Sequence, residues 1–199
     1  MNELPSLRTE RLVLRIAGPG DADKCVAFNS ENREFLAPWE PPMLPSSFDL
    51  EAQWTARQRA VDASLAGTGY SFAMCPADLE AERAPIIGWV NFSNVVRQVF
   101  QACYLGYRLD RRMQGHGLMN EALRAGIDYM FNTQRLHRIM ANYMPHNQKS
   151  ANVLRRLGFT VEGSAKSYLF IAGQWRDHVL TSLVNPFSSP PPGYDTGEA

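Results

Sequence analysis

Cys103-Tyr104-Leu105-Gly106-Tyr107-Arg108-Leu109, then Arg112-Met113-Gln114-Gly115-His116-Gly117, then Met119, Ala122, Leu123, Ile127, Met130 and Phe131 at helical spacing: this is the stretch on which the fold turns. The first run alternates and is rich in aromatics, which predicts a β-strand. The last set, with Gly126 on the same face, predicts an amphipathic helix. Between them lie two glycines, which permit a tight turn and a close approach of bare backbone to a ligand. N–H groups at the start of a helix, at the positive end of its dipole, form a ready site for phosphate. The stretch therefore predicts strand, glycine turn and helix around a pyrophosphate.

Two well-known phosphate motifs do not fit. A dinucleotide fingerprint needs a third glycine at position 120, where Asn120 stands. The nucleoside-triphosphate loop needs Gly-Lys-Ser/Thr, which is absent here. Arg112 to Gly117 instead resembles the Arg/Gln-x-x-Gly-x-Gly/Ala turn of the GCN5-related N-acetyltransferases, the GNAT family. The resemblance implies that acetyl-CoA lies here. Downstream, Asn147-Gln148-Lys149-Ser150 and Val153-Leu154-Arg155-Arg156-Leu157-Gly158-Phe159 resemble the same family's Asn-x-x-Ser…Leu-Gly-Phe signature. Asn147 also suits the simple role of a helix N-cap.

The 199 residues suit one domain with a substantial core. Twenty basic and twenty acidic residues give zero formal charge, so no global field favours nucleic acid, and no nucleic-acid motif is visible. The N-terminus has neither a basic region nor an apolar core, and no run reaches membrane-spanning length, so a cytoplasmic protein is expected. Cys25, Cys75 and Cys103 are odd in number and lack metal-ligand spacing, which predicts free thiols in a reducing compartment. No His, Cys or carboxylate cluster predicts a metal.

Along the chain, Thr9 to Ile16 alternates as a first strand, with Leu12, Leu14 and Ile16 facing the core. Asp21 is a candidate N-cap for a helix through Phe28. Asn29 to Pro45 is expected to be a proline-rich loop carrying Phe35, Leu36 and Trp39, either anchored in the core or lining a pocket. A helix from Ser46-Ser47-Phe48-Asp49 to about Ala66 follows. Strands are then expected at Tyr70 to Met74 and Ile86 to Phe92, with a surface loop from Pro76 to Pro85. After the glycine turn and its helix come a strand at His137 to Met144 and a helix to Leu157, closed by Gly158. Last is a hairpin of Ser167 to Ile171 and Trp175 to Leu183. Residues 1–185 form the predicted domain, and Pro186 to Ala199 an expected mobile proline-rich tail.

The order β-α-α-β-β-β-α-β-α-β-β predicts an α+β or mixed α/β protein. It is also the element order of the GNAT fold, which implies a central twisted mixed sheet of about seven strands flanked by about four helices. Longer stretches, among them Phe35 to Pro41, Asn91 to Arg97, Ala102 to Tyr107, His137 to Asn147 and Gly173 to Leu180, resemble the RimJ-type subgroup. Its members acetylate the N-terminal alanine of a small-subunit ribosomal protein. The resemblance runs from Leu7 to about Val184.

What it implies is transfer of acetyl from acetyl-CoA to a primary amine, expected to be a protein N-terminus, possibly that of a ribosomal protein. An α-amino group titrates near ~7.7–8.0, so a base must take one proton before attack. Leu109, Arg112, Met113, Gln114, Gly115, His116, Gly117, Leu118, Met119, Asn147 and Ser150 are the expected cofactor-binding residues. A backbone N–H near the end of the Tyr104-to-Leu109 strand would hold the thioester carbonyl. Ser150 is expected nearest the leaving sulfur. Phe35, Trp39, Glu40 and Asn91 are the expected acceptor residues, with Glu40 or Glu34 as base and Tyr168 as a pocket residue, so that Ser150, Glu40 and Tyr168 form the catalytic set. Arg108, Arg111 and Arg124 also surround the turn. His146 beside Asn147 is a further candidate, whereas His137 and His178 fit structural roles. Two other functions are compatible with these residues: the same chemistry on a small amine (polyamine, amino acid or antibiotic), or a non-catalytic acyl-CoA-binding module in ribosome assembly. Nothing in these residues sets an oligomeric state.

Overall fold

The computed structural model describes residues 3–80, 83–191 and 193. Two strands open it, β1 (Ser6–Arg8) and β2 (Leu12–Ile16), followed by α1 (Ala22–Leu36) and α2 (Leu50–Leu65). Next come β3 (Tyr70–Pro76), β4 (Gly88–Val96) and β5 (Ala102–Leu109). α3 (Leu118–Asp128), β6 (Arg138–Tyr143), α4 (Gln148–Arg156), β7 (Thr160–Ile171) and β8 (Gln174–Val184) complete the chain. One sheet holds all eight strands in the order β1-β2-β3-β4-β5-β6-β8-β7. Every neighbouring pair is antiparallel except β5 and β6.

The α+β architecture and its four α-helices match the expectation, but the strands number eight rather than seven. Thr9 turns back on Leu12 (Thr9 N–H to the Leu12 carbonyl, 2.9 Å), so the strand expected from Thr9 starts at Leu12 as β2, and Ser6–Arg8 before it forms the additional strand β1. A larger correction concerns α1, which runs on to Leu36 instead of stopping at Phe28. Phe35 and Leu36 are thus helical, and no proline stands between Ala22 and Pro38. Asp21 stands at the N-cap position but makes no cap bond. Its carboxylate takes a bidentate pair from Arg15 (2.6 and 2.7 Å) and the Gly18 N–H (3.0 Å), a charge-assisted set that outbids capping. At α2 the expected signal holds, the Asp49 carboxylate accepting from the Ala52 N–H at 2.8 Å after a short 3-10 turn. The surface loop between β3 and β4 includes residues 81 and 82, which lie outside the described residues, as do residues 192 and 194–199 of the expected tail. Within the described part of that tail, the Ser188 hydroxyl meets His137 Nδ1 at 2.7 Å.

Side chains from the two faces of the sheet feed two cores. On one face Leu12, Leu14, Phe72, Val90, Phe92, Cys103 and Leu105 pack against Met119, Ala122, Leu123 and Ile127 of α3 and Leu154 of α4. On the other, Ala73, Cys75 and Trp89 meet Cys25, Phe28 and Leu36 of α1. Gly126 is required by this packing: a Cβ there would lie 2.9 Å from the fully buried Phe92 ring. The three cysteines are free and buried, and burial pushes Cys25 up to about 11 and Cys103 to about 12, with Cys75 raised as well. The native protein is therefore expected to react with no equivalent of a thiol reagent at pH 8, and with three in denaturant. Rapid native labelling of even one thiol would contradict this packing.

Candidate active site

The parallel pair β5–β6 is joined only through Ala102, Cys103 and Tyr104, which face Arg138, Ile139 and Met140. Beyond that point β5 stays with β4 and β6 stays with β8, so the two strands part and leave a V-shaped cleft in the middle of the sheet. Backbone groups on the facing edges of residues 105–109 and 141–143 have no strand partner there, and unpaired backbone in a sheet interior calls for a ligand or solvent. Sequence periodicity alone did not reveal this opening, because both segments read as ordinary strands.

At one mouth of the cleft sits the glycine turn. Gly115 (φ 83°) and Gly117 (φ 78°) are left-handed, a conformation that glycine adopts without steric cost. Gly117 is the N-cap of α3 and no side chain caps that helix, so its leading N–H groups are available. The turn is held from three sides. Arg11 donates to the His116 carbonyl (2.9 Å) and pairs with Glu121, which also accepts from Thr9 (2.6 Å). Asp110, almost wholly buried, accepts from the Arg112 N–H (2.8 Å) and guanidinium, and from Asn32 Nδ2 (3.3 Å). Asn32, also buried, accepts from the Arg111 N–H at 3.1 Å, fastening α1 to the turn. Hydrogen bonds from Arg112, supplemented by Asn32, hold the Asp110 carboxyl down at about 2 despite its burial. Arg112 is thereby occupied by Asp110 and Glu31 rather than left free for phosphate. Lys149, in the first turn of α4, instead reaches across to Gln114 Oε1 at 2.9 Å. Arg124 is bonded to Asn120 Oδ1 (2.9 Å). Asn32, Asp110 and Lys149 were not marked by sequence reasoning, since each takes its role from a partner distant in the chain.

Ser150 and Asn147 lie at the start of α4, on the β6 side of the cleft. Asn147 caps that helix, its Oδ1 accepting from the Ser150 N–H at 3.1 Å. The Ser150 hydroxyl is 2.8 Å from the Tyr107 hydroxyl on β5, so the two walls are bridged by a pair of hydroxyls. Tyr107 points to the α3–α4 side with Leu105 and Cys103, as strand alternation requires.

Residues on the opposite side of β5 form a second group. Glu40, just after α1, pairs with Arg108 at 3.3 Å, and its carbonyl accepts from the Ala172 N–H (3.0 Å) at the tip of the β7–β8 hairpin. Burial raises the Glu40 carboxyl, with Arg108 pulling against it. The Arg108 guanidinium lies over Phe28 (5.2 Å) and Trp89 (5.7 Å), and Arg57 covers Trp89 at 4.8 Å. Trp39 leans on His146 (centroids 5.5 Å apart), carrying the loop after α1 to the β6–α4 connection. Tyr168 accepts from Asn142 Nδ2 (3.3 Å) and stands by Tyr104; burial and that neighbour raise its phenol. Tyr104 and Tyr107 project to opposite faces, so Tyr168 joins the Glu40 side and not Ser150. Phe35 packs with the α1 core, and Asn91 Oδ1 accepts from the Ser71 hydroxyl at 2.7 Å. His178 is buried, with Nδ1 3.0 Å from the Arg176 carbonyl.

A parallel pair that parts in mid-sheet, a glycine turn leading into α3 and a capped α4 across the gap coincide with a family match. The family model of the acetyltransferase (GNAT) domain matches residues 11–160. The chain belongs to the GNAT family. It is 49% identical over 185 residues to the [ribosomal protein uS5]-alanine N-acetyltransferase of Escherichia coli (strain K12), covering 92% of this chain and 93% of the relative. The crystal structure of ribosomal-protein-S5-alanine acetyltransferase from Vibrio fischeri superimposes with a TM-score of 0.87 at 39% identity, covering 94% of this chain and all of that one. RimJ of Mycobacterium smegmatis, solved in complex with CoA-disulfide, gives a TM-score of 0.81 at 27% identity over 93% and 90% of the two chains. This GNAT protein is accordingly an acyltransferase, and GNAT acetyltransferases use acetyl-CoA. Uncapped N–H groups at Gly117 and an unpaired sheet edge suit a pyrophosphate and an amide-bearing arm, so the site fits such a group. Among the described residues no helix is long and apolar enough to cross a membrane, and no group of three or more His, Cys, Asp or Glu is placed to hold a metal.

Proposed function

We propose that this GNAT protein transfers the acetyl group of acetyl-CoA to the N-terminal alanine amine of ribosomal protein uS5. What carries the reading is 49% identity over 92% of the chain to a uS5-alanine N-acetyltransferase, supported by a cleft between β5 and β6 that suits an acyl donor. In this reading the N–H groups of Gly115 to Met119 hold the pyrophosphate, with Lys149 as the nearby exposed cation. Arg112 braces the turn through Asp110. The facing edges of β5 and β6 hold the pantetheine arm, with the end of β5 near Leu109 offering backbone to the thioester. Asn147 contributes its amide nitrogen, because its oxygen is used in capping.

Ser150 donates to the sulfur as the C–S bond breaks. Glu40 receives the ammonium from the other face and takes its proton; its raised carboxyl suits that task better than an exposed one would. Trp39 closes over the acceptor and Tyr168 lines its path. A polyamine fits less well, since several ammonium groups would meet one carboxylate already opposed by Arg108, with Arg57 close by.

The test is direct. Purified protein is incubated with acetyl-CoA and a synthetic uS5 N-terminal peptide, the same peptide with a blocked amine, or spermidine. Thiol release and a mass gain of one acetyl are expected for the free peptide alone. Equal turnover of spermidine, or acetyl-CoA binding without peptide labelling, would refute the assignment.

A further inference from the structure

Tyr107 is half-buried in the wall of the cleft, and its hydroxyl contacts one residue, the Ser150 hydroxyl at 2.8 Å and the Ser150 carbonyl at 3.4 Å. Two hydroxyls in contact can share their protons in two ways. If Ser150 donates to Tyr107, the tyrosine proton turns to the Ser150 carbonyl and the serine has none to offer the cleft. If Tyr107 donates to Ser150 Oγ, the serine proton is released to point elsewhere. The 2.8 Å contact serves either direction, but the first arrangement also needs the carbonyl contact, which at 3.4 Å is long for an O–H donor. The geometry therefore favours Tyr107 as donor.

We infer that Tyr107 is a positioning residue, whose hydroxyl orients Ser150 so that the serine O–H faces the departing sulfur of the acyl donor. This rests on the function proposed above and names a residue that reading did not use. Burial pushes the phenol up to about 12, so it keeps its proton throughout the range in which an α-amine is nucleophilic. The chemistry balances without ionising either hydroxyl. The amine lone pair forms the N–C bond, the C–S bond breaks with its electron pair passing to sulfur, and the proton lost by the amine balances the thiol. Ser150 contributes a hydrogen bond to the sulfur while its charge builds, strengthened because Ser150 itself accepts from Tyr107. Placing the tyrosine on β5 and the serine on α4 ties that bond to the spacing of the cleft.

Bound CoA supplies a readout independent of any acceptor, because its thiolate absorbs in the ultraviolet and can be titrated on the protein. The thiol is expected to ionise at lower pH on the wild type than on Tyr107→Phe or Ser150→Ala, and the double variant should match Ser150→Ala. In turnover, Tyr107→Phe is expected to lower kcat about tenfold with KM for acetyl-CoA nearly unchanged, the loss of one hydrogen bond. The same substitution should cost nothing further in the Ser150→Ala background. A Tyr107→Phe protein that titrates and turns over like wild type would overturn the inference while leaving the acetyltransferase reading standing. So would an equal loss with and without the serine. Failure of the wild type to bind CoA would instead remove the acetyl-CoA site itself, and this inference with it. Retained CoA affinity in Tyr107→Phe shows that the variant is folded.

Discussion

Gly117→Val is expected to reduce acetyl-CoA affinity at least about a hundredfold, equivalent to two charge-assisted hydrogen bonds lost at once. Gly117 holds φ at 78° at the N-cap of α3, and a β-branched residue is strained there. Space is not the obstacle, since an added Cβ would meet only the Arg11 guanidinium, at 3.7 Å. The effect is therefore conformational: to relieve φ the turn must rotate, and the N–H groups proposed to hold the pyrophosphate rotate with it. Gly115 (φ 83°) has nothing within 4 Å of an added Cβ, so Gly115→Ala should lose affinity through the same strain in weaker form. Calorimetric titration with acetyl-CoA decides the matter, with thermal unfolding as a control. Wild-type affinity in Gly117→Val would disprove the phosphate-turn assignment.

A comparably large effect is expected on stability at Asp110. Its side chain is 3% exposed and gathers hydrogen bonds from Arg112 and Asn32, joining α1 to the turn. Asp110→Asn preserves the shape but removes the charge, and should destabilise the protein by about 2 kcal/mol at pH 7. Because the folded carboxyl is depressed to about 2 from an ordinary 3.8, its contribution is fully present above the unfolded value and is lost as pH falls through the folded one. Urea unfolding of wild type and variant should thus differ by a constant amount above about pH 5 and converge as pH falls toward about 2. Other paired carboxylates, such as Asp21 and Glu121, weaken both proteins in acid alike. Curves that stay parallel down to the lowest pH would show that Asp110 carries no such linkage. Since the turn is anchored by this residue, acetyl-CoA affinity should fall in the variant as well.

Much of this arrangement is legible in the residues themselves. The alternation of Cys103 to Leu109, the helical spacing from Met119 to Met130 and the two glycines between them are local signals, and each local preference agrees with the fold. Asp49, Asn147, Gly158 and the Ala172-Gly173 turn are equally local. Where the expectation failed, a tertiary partner had changed the outcome. Asp21 gave up capping for Arg15, and Asn32 gained a buried role within a helix expected to have ended four residues earlier. Tyr168 and Ser150 stand on opposite sides of β5, because strand alternation places Tyr104 and Tyr107 on opposite faces.

The opening of the sheet lies beyond any local reading. Strands β5 and β6 are separated in sequence by α3, and periodicity says which face each side chain takes, not how far two strands remain paired. By itself the sequence determined the strand, glycine turn and helix that make the proposed phosphate site, and through them the family resemblance. Only the tertiary structure decided that β5 and β6 part after Tyr104, that Arg112 is bound to Asp110 and Glu31, and that Tyr107 meets Ser150 across the gap. The physical reason is range. Turn and helix are set by backbone preferences a few residues apart, whereas the side chains that meet across the cleft are set by contacts between elements that the chain brings together only when both cores close.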